Sequence, residues 1–337
     1  MKEALPIPGV LKPSTGPSGR PLPGGEGVNP KSTLRSLRRR RIADRLAEKL
    51  IFLFALIATT VIFLIFIYVV REALPLLWET SEGASIAGAF RPPYAWQPVS
   101  TSPRYSVIPL IVGTFKVTVI AMLIATPLAL AAALYTAEFA PFRLREWIKP
   151  AIELLAGIPS VVIGFFCLIV LASWMQTALG LDFRLNALTA GLGLSLAIIP
   201  IIFTVSEDAL TAVPRHYREA SLALGASKTQ TALRVVFPAA MPGVGAAMIL
   251  GFGRAVGETM IVLMVSGNAS ILSLDPTLPV RTLAATIAAE LGEVVFGGGH
   301  YRMLFFIGAL LFVITSVLNW VGDRYNRRLR LKLFGSE

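Results

Sequence analysis

Cysteine, histidine and charge are all scarce in this chain: among 337 residues there are one Cys and two His, and 15% of residues are charged. The lone Cys167 excludes a disulfide within the chain and any cysteine-rich metal or iron–sulfur centre, and suits packing inside an apolar run. His216 and His300 fall on predicted opposite sides of a membrane, so no histidine-based catalytic or metal-spaced constellation forms, which argues against a membrane enzyme. No Gly-x-x-x-x-Gly-Lys-Ser/Thr occurs either. Lys228-Thr229 follows Ser227 and Lys31-Ser32 follows Pro30, so any ATP chemistry must come from another chain. The Gly-x-Gly at 251–253 fails as a dinucleotide fingerprint because position 256 is Val and the stretch lies within an apolar span.

What the chain has instead is apolar sequence. With 55% hydrophobic residues it is too apolar for an ordinary soluble domain. A bilayer core takes roughly 20 helical residues to cross. Six stretches meet that length: 50–70, 107–137 with Lys116 inside it, 151–174 with Glu153, 188–205, 242–268 with Arg254 and Glu258, and 303–321. The first is not a cleaved signal, because its apolar run is too long and IYVVREALP offers no small-x-small site.

The net charge of +11 is distributed with one bias. Eleven of the 31 Lys/Arg precede the first span, and further clusters fall in 139–150, 207–241 and after 321. The opposite side receives six: Arg71, Arg91, Arg104, Arg184, Arg281 and Arg302. The positive-inside rule then predicts both termini in the cytoplasm, and the basic run RSLRRRRIADRLAEK (35–49) reads as a stop to translocation that touches lipid headgroups rather than nucleic acid.

The chain therefore divides into a disordered basic tail over 1–49, a first span over 50–70, an external segment over 71–106, a core over 107–325 and a basic tail over 326–337. In the external segment Trp78, Tyr94, Trp96 and Tyr105 suit interface anchoring or a docking surface. His300 and Arg302 suit an interfacial place as well. Lys116 either snorkels outward or lines the pathway as an anion attractor.

The loop over 207–241 carries the most specific pattern, EASLALGASKTQTALRVVFPAAMPG. Pro214 can start a helix. Arg215 to Glu219 give it a polar face, Ala220, Leu222, Ala223 and Leu224 supply apolar and small contacts, and Gly225 offers the left-handed backbone that ends it. A short amphipathic helix outside the bilayer must bury its apolar side against a partner.

Glu219-Ala220-Ser221, three residues, Gly225, nine residues and Val235-Val236-Phe237-Pro238 resemble the signature of permease subunits of ABC importers, with Ser and Phe as mild departures. RAVGET followed by MIVLMVSGN, together with ELLAGIPSVVIGF and HYRMLFFIGALLFVITSVLN, is similar to the phosphate-specific (Pst) branch of these permeases, its PstC-type subunits in particular. The resemblance covers most of 105–330. It implies an all-α integral membrane protein of six transmembrane helices with the type I ABC importer permease (MetI-like) fold, without a cofactor, in the bacterial inner membrane.

It further implies that Arg215, Arg218, Glu219, Ala220 and Gly225 belong to a coupling helix that docks into the ATPase. Its implied partners are a PstA-type second permease, two PstB-type ATP-binding subunits and an external PstS-type phosphate-binding protein. Arg254 and Glu258, four residues apart and expected on one helical face, would form the pair in the phosphate pathway, where guanidinium can bond two oxygens. A structural ion pair is the competing reading, and sulfate or molybdate are the alternative cargoes. An ion-driven transporter would need no coupling helix.

Overall fold

The computed structural model describes residues 30–78 and 83–334. The chain packs as two units, one ending at Ile65 and one beginning at Phe66.

Among the described residues the first unit holds one helix, α1 (Pro30–Ala73), whose last turns belong to the second unit. The basic run at 35–49 is helical and continuous with the first span, which corrects the expectation of a disordered tail up to residue 49; residues 1–29 lie outside the described residues. Arg and Lys are good helix formers, and a run without Gly or Pro between Lys31 and Ala73 lets the apolar helix propagate backwards through them.

In the second unit, a 3-10 turn (Leu74–Leu77) leads to α2 (Ile86–Ala89) and a two-stranded antiparallel ladder, β1 (Trp96–Gln97) with β2 (Arg104–Tyr105), in the register Trp96 to Tyr105. Then come α3 (Ile108–Leu134), α4 (Phe142–Ala156), α5 (Ser160–Phe166) and α6 (Ala172–Leu179), the last two joined by a π turn. The chain continues through α7 (Ala187–Thr211), α8 (Arg215–Ala223), α9 (Lys228–Thr231), α10 (Phe237–Gly257), α11 (Met260–Val265), α12 (Leu283–Glu290) and α13 (Gly299–Phe334).

Among the described residues six helical stretches are long and apolar enough to cross a membrane: Leu46–Leu77, Ile108–Phe139, Ser160–Leu179, Ala187–Thr211, Lys228–Gly257 and Gly299–Leu331. The number matches the sequence reading, and the bounds depart from it most at the third and fifth spans. Glu153 sits in α4, a separate amphipathic helix, because Gly157 and Pro159 break the chain before α5. The fifth span starts at Lys228 and stops at Gly257, so much of the loop expected over 207–241 is already helix at both ends.

Helix α7 is the centre of the core: 61% of its most apolar window is buried, the largest share of any span. Asn186 starts it by accepting the Thr189 N–H at 2.8 Å. Its main partner is α3, which presents Ala121, Ala125, Ala129 and Ala133, all fully buried and one turn apart. Lipid supplies no hydrophobic drive for helices to meet, so small residues that allow close approach do that job. Gly251 of α10 shows how close: a Cβ there would lie 2.7 Å from Ile202 Cγ1 of α7.

A second apolar cluster holds down the segment over 83–106. Trp96 and Tyr105, 3% and 5% exposed, pack edge to face with each other and share a cluster with Leu76, Leu110, Leu283, Met303 and Ile307. These two aromatics are therefore core residues and not surface anchors; Trp78 and Tyr94 do lie exposed.

Candidate functional site: a helix break in the membrane and a helical corner outside it

Helix α10 ends inside the apolar region. Gly257 is its last residue, and Glu258 takes up an extended conformation at φ −70° and ψ 129° before the chain re-enters helix as α11. The expected single helical face carrying Arg254 and Glu258 is thus replaced by a break between them. The carboxylate, 7% exposed, turns inward, and its Oε1 accepts the Met260 N–H at 3.2 Å.

The Arg254 guanidinium stands off Glu258 Oε2 at 4.0 Å, with 47% of the side chain exposed. Among the described residues it makes no other ion pair and no hydrogen bond. Its position in the last turn of α10 complements the helix dipole, a contribution of about 0.3–1 kcal/mol, and leaves its donors unengaged. It faces a cavity of about 570 Å³ bordered by Ile201 of α7, Gly253 and Gly257 of α10, and Thr315 and Asn319 of α13. Non-helical backbone at membrane depth is tolerated where it lines a cavity, and this break does so.

Lys116 is elsewhere. It is buried in α3, and its Nζ donates to the carbonyls of Ser273 at 3.0 Å and Asp275 at 2.9 Å. It does not border the Arg254 cavity. The loop it holds, between α11 and α12, also gives the carbonyls of Pro276 and Leu278 to the first N–H groups of α7. Asp275 in that loop has its carboxyl lowered from the usual range by the hydroxyl and N–H of Thr277.

A second charge knot lies beside Trp96. Glu290 of α12 receives Arg281 at 2.6 Å, His300 at 2.8 Å and the Trp96 indole N–H at 3.0 Å. Burial pushes its carboxyl up, but His300, Arg281 and Trp96 together outweigh burial and hold it below the usual range.

At the other end of the core, Pro214 stands in extended conformation before α8, and Gly225, at φ +84°, stops the turn that follows. No residue of α8 is buried: Arg215, Tyr217, Glu219, Ala220 and Leu222 are all exposed, and Leu224 just beyond it is 90% exposed. Arg218 is the exception in function. It reaches back to Glu138 at 2.6 Å and to the carbonyls of Val213 and Leu210, so it fastens α8 to the ends of α3 and α7. Ser227 and Gln230 form a capping box that restarts the helix leading into α10.

Beside this corner, Glu207 of α7 is completely buried yet ionically paired with Arg145 at 2.5 Å and Lys149 at 2.9 Å, both from α4. Lys149 also meets Asp208 at 2.7 Å, and the Asp208 and Glu207 hydrogen bonds raise its ammonium above the ordinary lysine value. The sequence held a signal for this clamp: Arg145 and Lys149 are four apart on a helix whose Ile148 and Ile152 face the core. Nothing in the sequence announced the Glu138–Arg218 or Glu290 contacts, whose partners are distant along the chain.

A break in a membrane helix, a cationic side chain at a cavity and an exposed amphipathic helix joining two of six spans are the arrangement of a multi-pass membrane permease. A family model described as "Binding-protein-dependent transport system inner membrane component" matches residues 125–331. The chain belongs to that family, and is a multi-pass inner membrane protein of the ABC importer permease type.

It is similar, at 38% identity over 220 residues, to the probable ABC transporter permease protein YqgH of Bacillus subtilis, covering 65% of this chain and 71% of the relative. Against the phosphate transport system permease protein PstC of Xylella fastidiosa the identity is 34% over 285 residues, 78% of this chain and 86% of the relative. Among solved structures, a bacterial ABC transporter that imports alginate has a chain matching with TM-score 0.58 at 15% identity, over 86% of this chain and 99% of that one. The inward-facing methionine transporter MetNI matches with TM-score 0.51 at 19% identity, over 65% and 96%. These two likenesses bear on the fold alone.

Proposed function

We propose that this chain is the permease subunit of an ATP-driven importer of inorganic phosphate, and that Arg254 is the contact the anion meets on its way through. The observation that carries this reading is the state of the Arg254 side chain: half exposed to a cavity at a helix break, with one long ionic contact and its remaining donors free. Guanidinium stays charged and bonds two oxygens of a tetrahedral anion at once. Glu258 holds it when the site is empty and disfavours indiscriminate anion passage. Arginine does not separate phosphate from sulfate or molybdate; the phosphate transport relatives support the first.

Helix α8 offers Arg215, Glu219 and Ala220 to an ATP-binding subunit, with Gly225 setting the turn behind them. In this reading ATP hydrolysis belongs to two such subunits, a second permease completes the pathway, and an external phosphate-binding protein delivers the anion. The termini lie in the cytoplasm, where most Lys/Arg would then sit, in contact with membrane lipids. Movement of α8 then switches the cavity between outward and inward openings.

The test is uptake into proteoliposomes holding the complete transporter, with phosphate, sulfate and molybdate compared with and without ATP. ATP-dependent accumulation of phosphate, at least tenfold above the other two, is expected. Equal accumulation without ATP would instead favour an ion-coupled transporter.

A further inference from the structure

On the α8 side of the molecule, well along the chain from Arg254, α13 presents Asp323, Asn326, Arg327 and Arg330 to a cavity of about 560 Å³. These positions, at i, i+3, i+4 and i+7, form one stripe of the helix. The opposite walls are the corner where α7 passes into α8, including Pro214 and Tyr217, and the start of α10.

Three features set these arginines apart from the ordinary basic end of a membrane helix. Neither Arg327 nor Arg330 makes an ion pair or hydrogen bond among the described residues, although Asp323 borders the same cavity. Their neighbour Arg324, which does not border the cavity, is engaged by stacking over the Trp320 ring at 5.4 Å. The cavity is also enclosed on its far side by the helical corner that joins two spans, and its size lies within the range of small-ligand pockets.

We infer that this cavity is a binding site for a phosphate group on the side of the membrane that carries α8, distinct from the Arg254 pathway. Two guanidinium groups one turn apart match the oxygens of one phosphate, and Asn326 adds a neutral donor. A ligand there bonds α13 while filling the space against α8 and α10, so its occupancy constrains the element that receives the ATPase relative to the one that carries Arg254. Two sources have this chemistry, an anionic lipid headgroup and free orthophosphate.

The site stands independently of what the pathway carries, and the test keeps the two apart. Binding is measured on the assembled transporter in an Arg254→Gln background, which blanks the pathway. One arm titrates radiolabelled orthophosphate in nanodiscs of phosphatidylcholine. The other weighs bound lipid by native mass spectrometry in nanodiscs of phosphatidylglycerol and phosphatidylcholine without orthophosphate. Binding in at least one arm is expected, weakened about tenfold by the double substitution Arg327→Gln with Arg330→Gln. Asp323→Asn should tighten it several-fold, and Arg324→Gln should leave it unchanged.

Binding confined to the lipid arm identifies a headgroup, and binding confined to the other arm identifies free phosphate. The inference is overturned if neither probe binds, if the double variant binds both as its parent does, or if Arg324→Gln weakens binding as much as the double variant.

Discussion

Arg254 and Lys116 bring the same charge into the apolar part of the chain, and their surroundings give them opposite work. The Lys116 ammonium donates to two backbone carbonyls of the loop between α11 and α12, whereas the Arg254 guanidinium is held by one contact at 4.0 Å. Lys116→Met would leave those carbonyls without their donor, a loss of about 1–3 kcal/mol that falls on the loop. Hydrogen exchange over residues 268–280 should rise by at least tenfold while the transporter still takes up its substrate; loss of uptake with unchanged exchange would return Lys116 to the pathway. Glu290 makes a prediction in pH. Its carboxyl is held below the usual range, so its stabilisation is complete above the unfolded value, about 4.3, and is lost as pH falls through the folded one. The gap in thermal midpoint between the wild type and Glu290→Gln should be steady from pH 7 to about pH 5 and close below about pH 4. A gap that persists at pH 3 would remove the ionised knot from the account.

Helix α8 shows which parts of an element a sequence can reveal. Its bounds followed from local chemistry: proline at the start, and at the end a glycine whose φ of +84° an L-residue reaches only with strain. Its exposed side followed from amphipathicity. The attachment of that helix did not, because Arg218 bonds Glu138, eighty residues earlier, and no local pattern pairs them. The same limit applied at Arg254 and Glu258. A spacing of four suggested a continuous face, and the backbone instead breaks at Gly257, a residue whose freedom to end a helix the sequence allowed but did not require. Two variants separate contact from attachment in α8. Gly225→Ala should strain the corner by about 1–2 kcal/mol and Glu138→Gln should weaken charge-assisted bonds of about 1.5–3 kcal/mol. Both should lower uptake several-fold while ATP hydrolysis by the assembled transporter continues; parallel loss of hydrolysis in Glu138→Gln would mean that Arg218 serves assembly rather than transmission.

Across the whole molecule, the number of spans and the membrane class were legible because they depend on sums over many residues, which composition and apolar length report well. Their exact ends were less so, since two π turns, at Tyr135–Phe139 and Ala232–Val236, continue helices past positions where the hydropathy falls. The resulting architecture places Arg254 at a helix break and the exposed helix α8 at a separate corner, with α10 packed against α7. In the proposed reading a phosphate ion passes by way of Arg254. The direct measurement is ATP-dependent phosphate uptake by proteoliposomes holding the Arg254→Gln transporter, with subunit stoichiometry and ATP hydrolysis measured on the same preparation. Full assembly with uptake reduced about 100-fold or more is the predicted result; an assembled variant that takes up phosphate at the wild-type rate would contradict it.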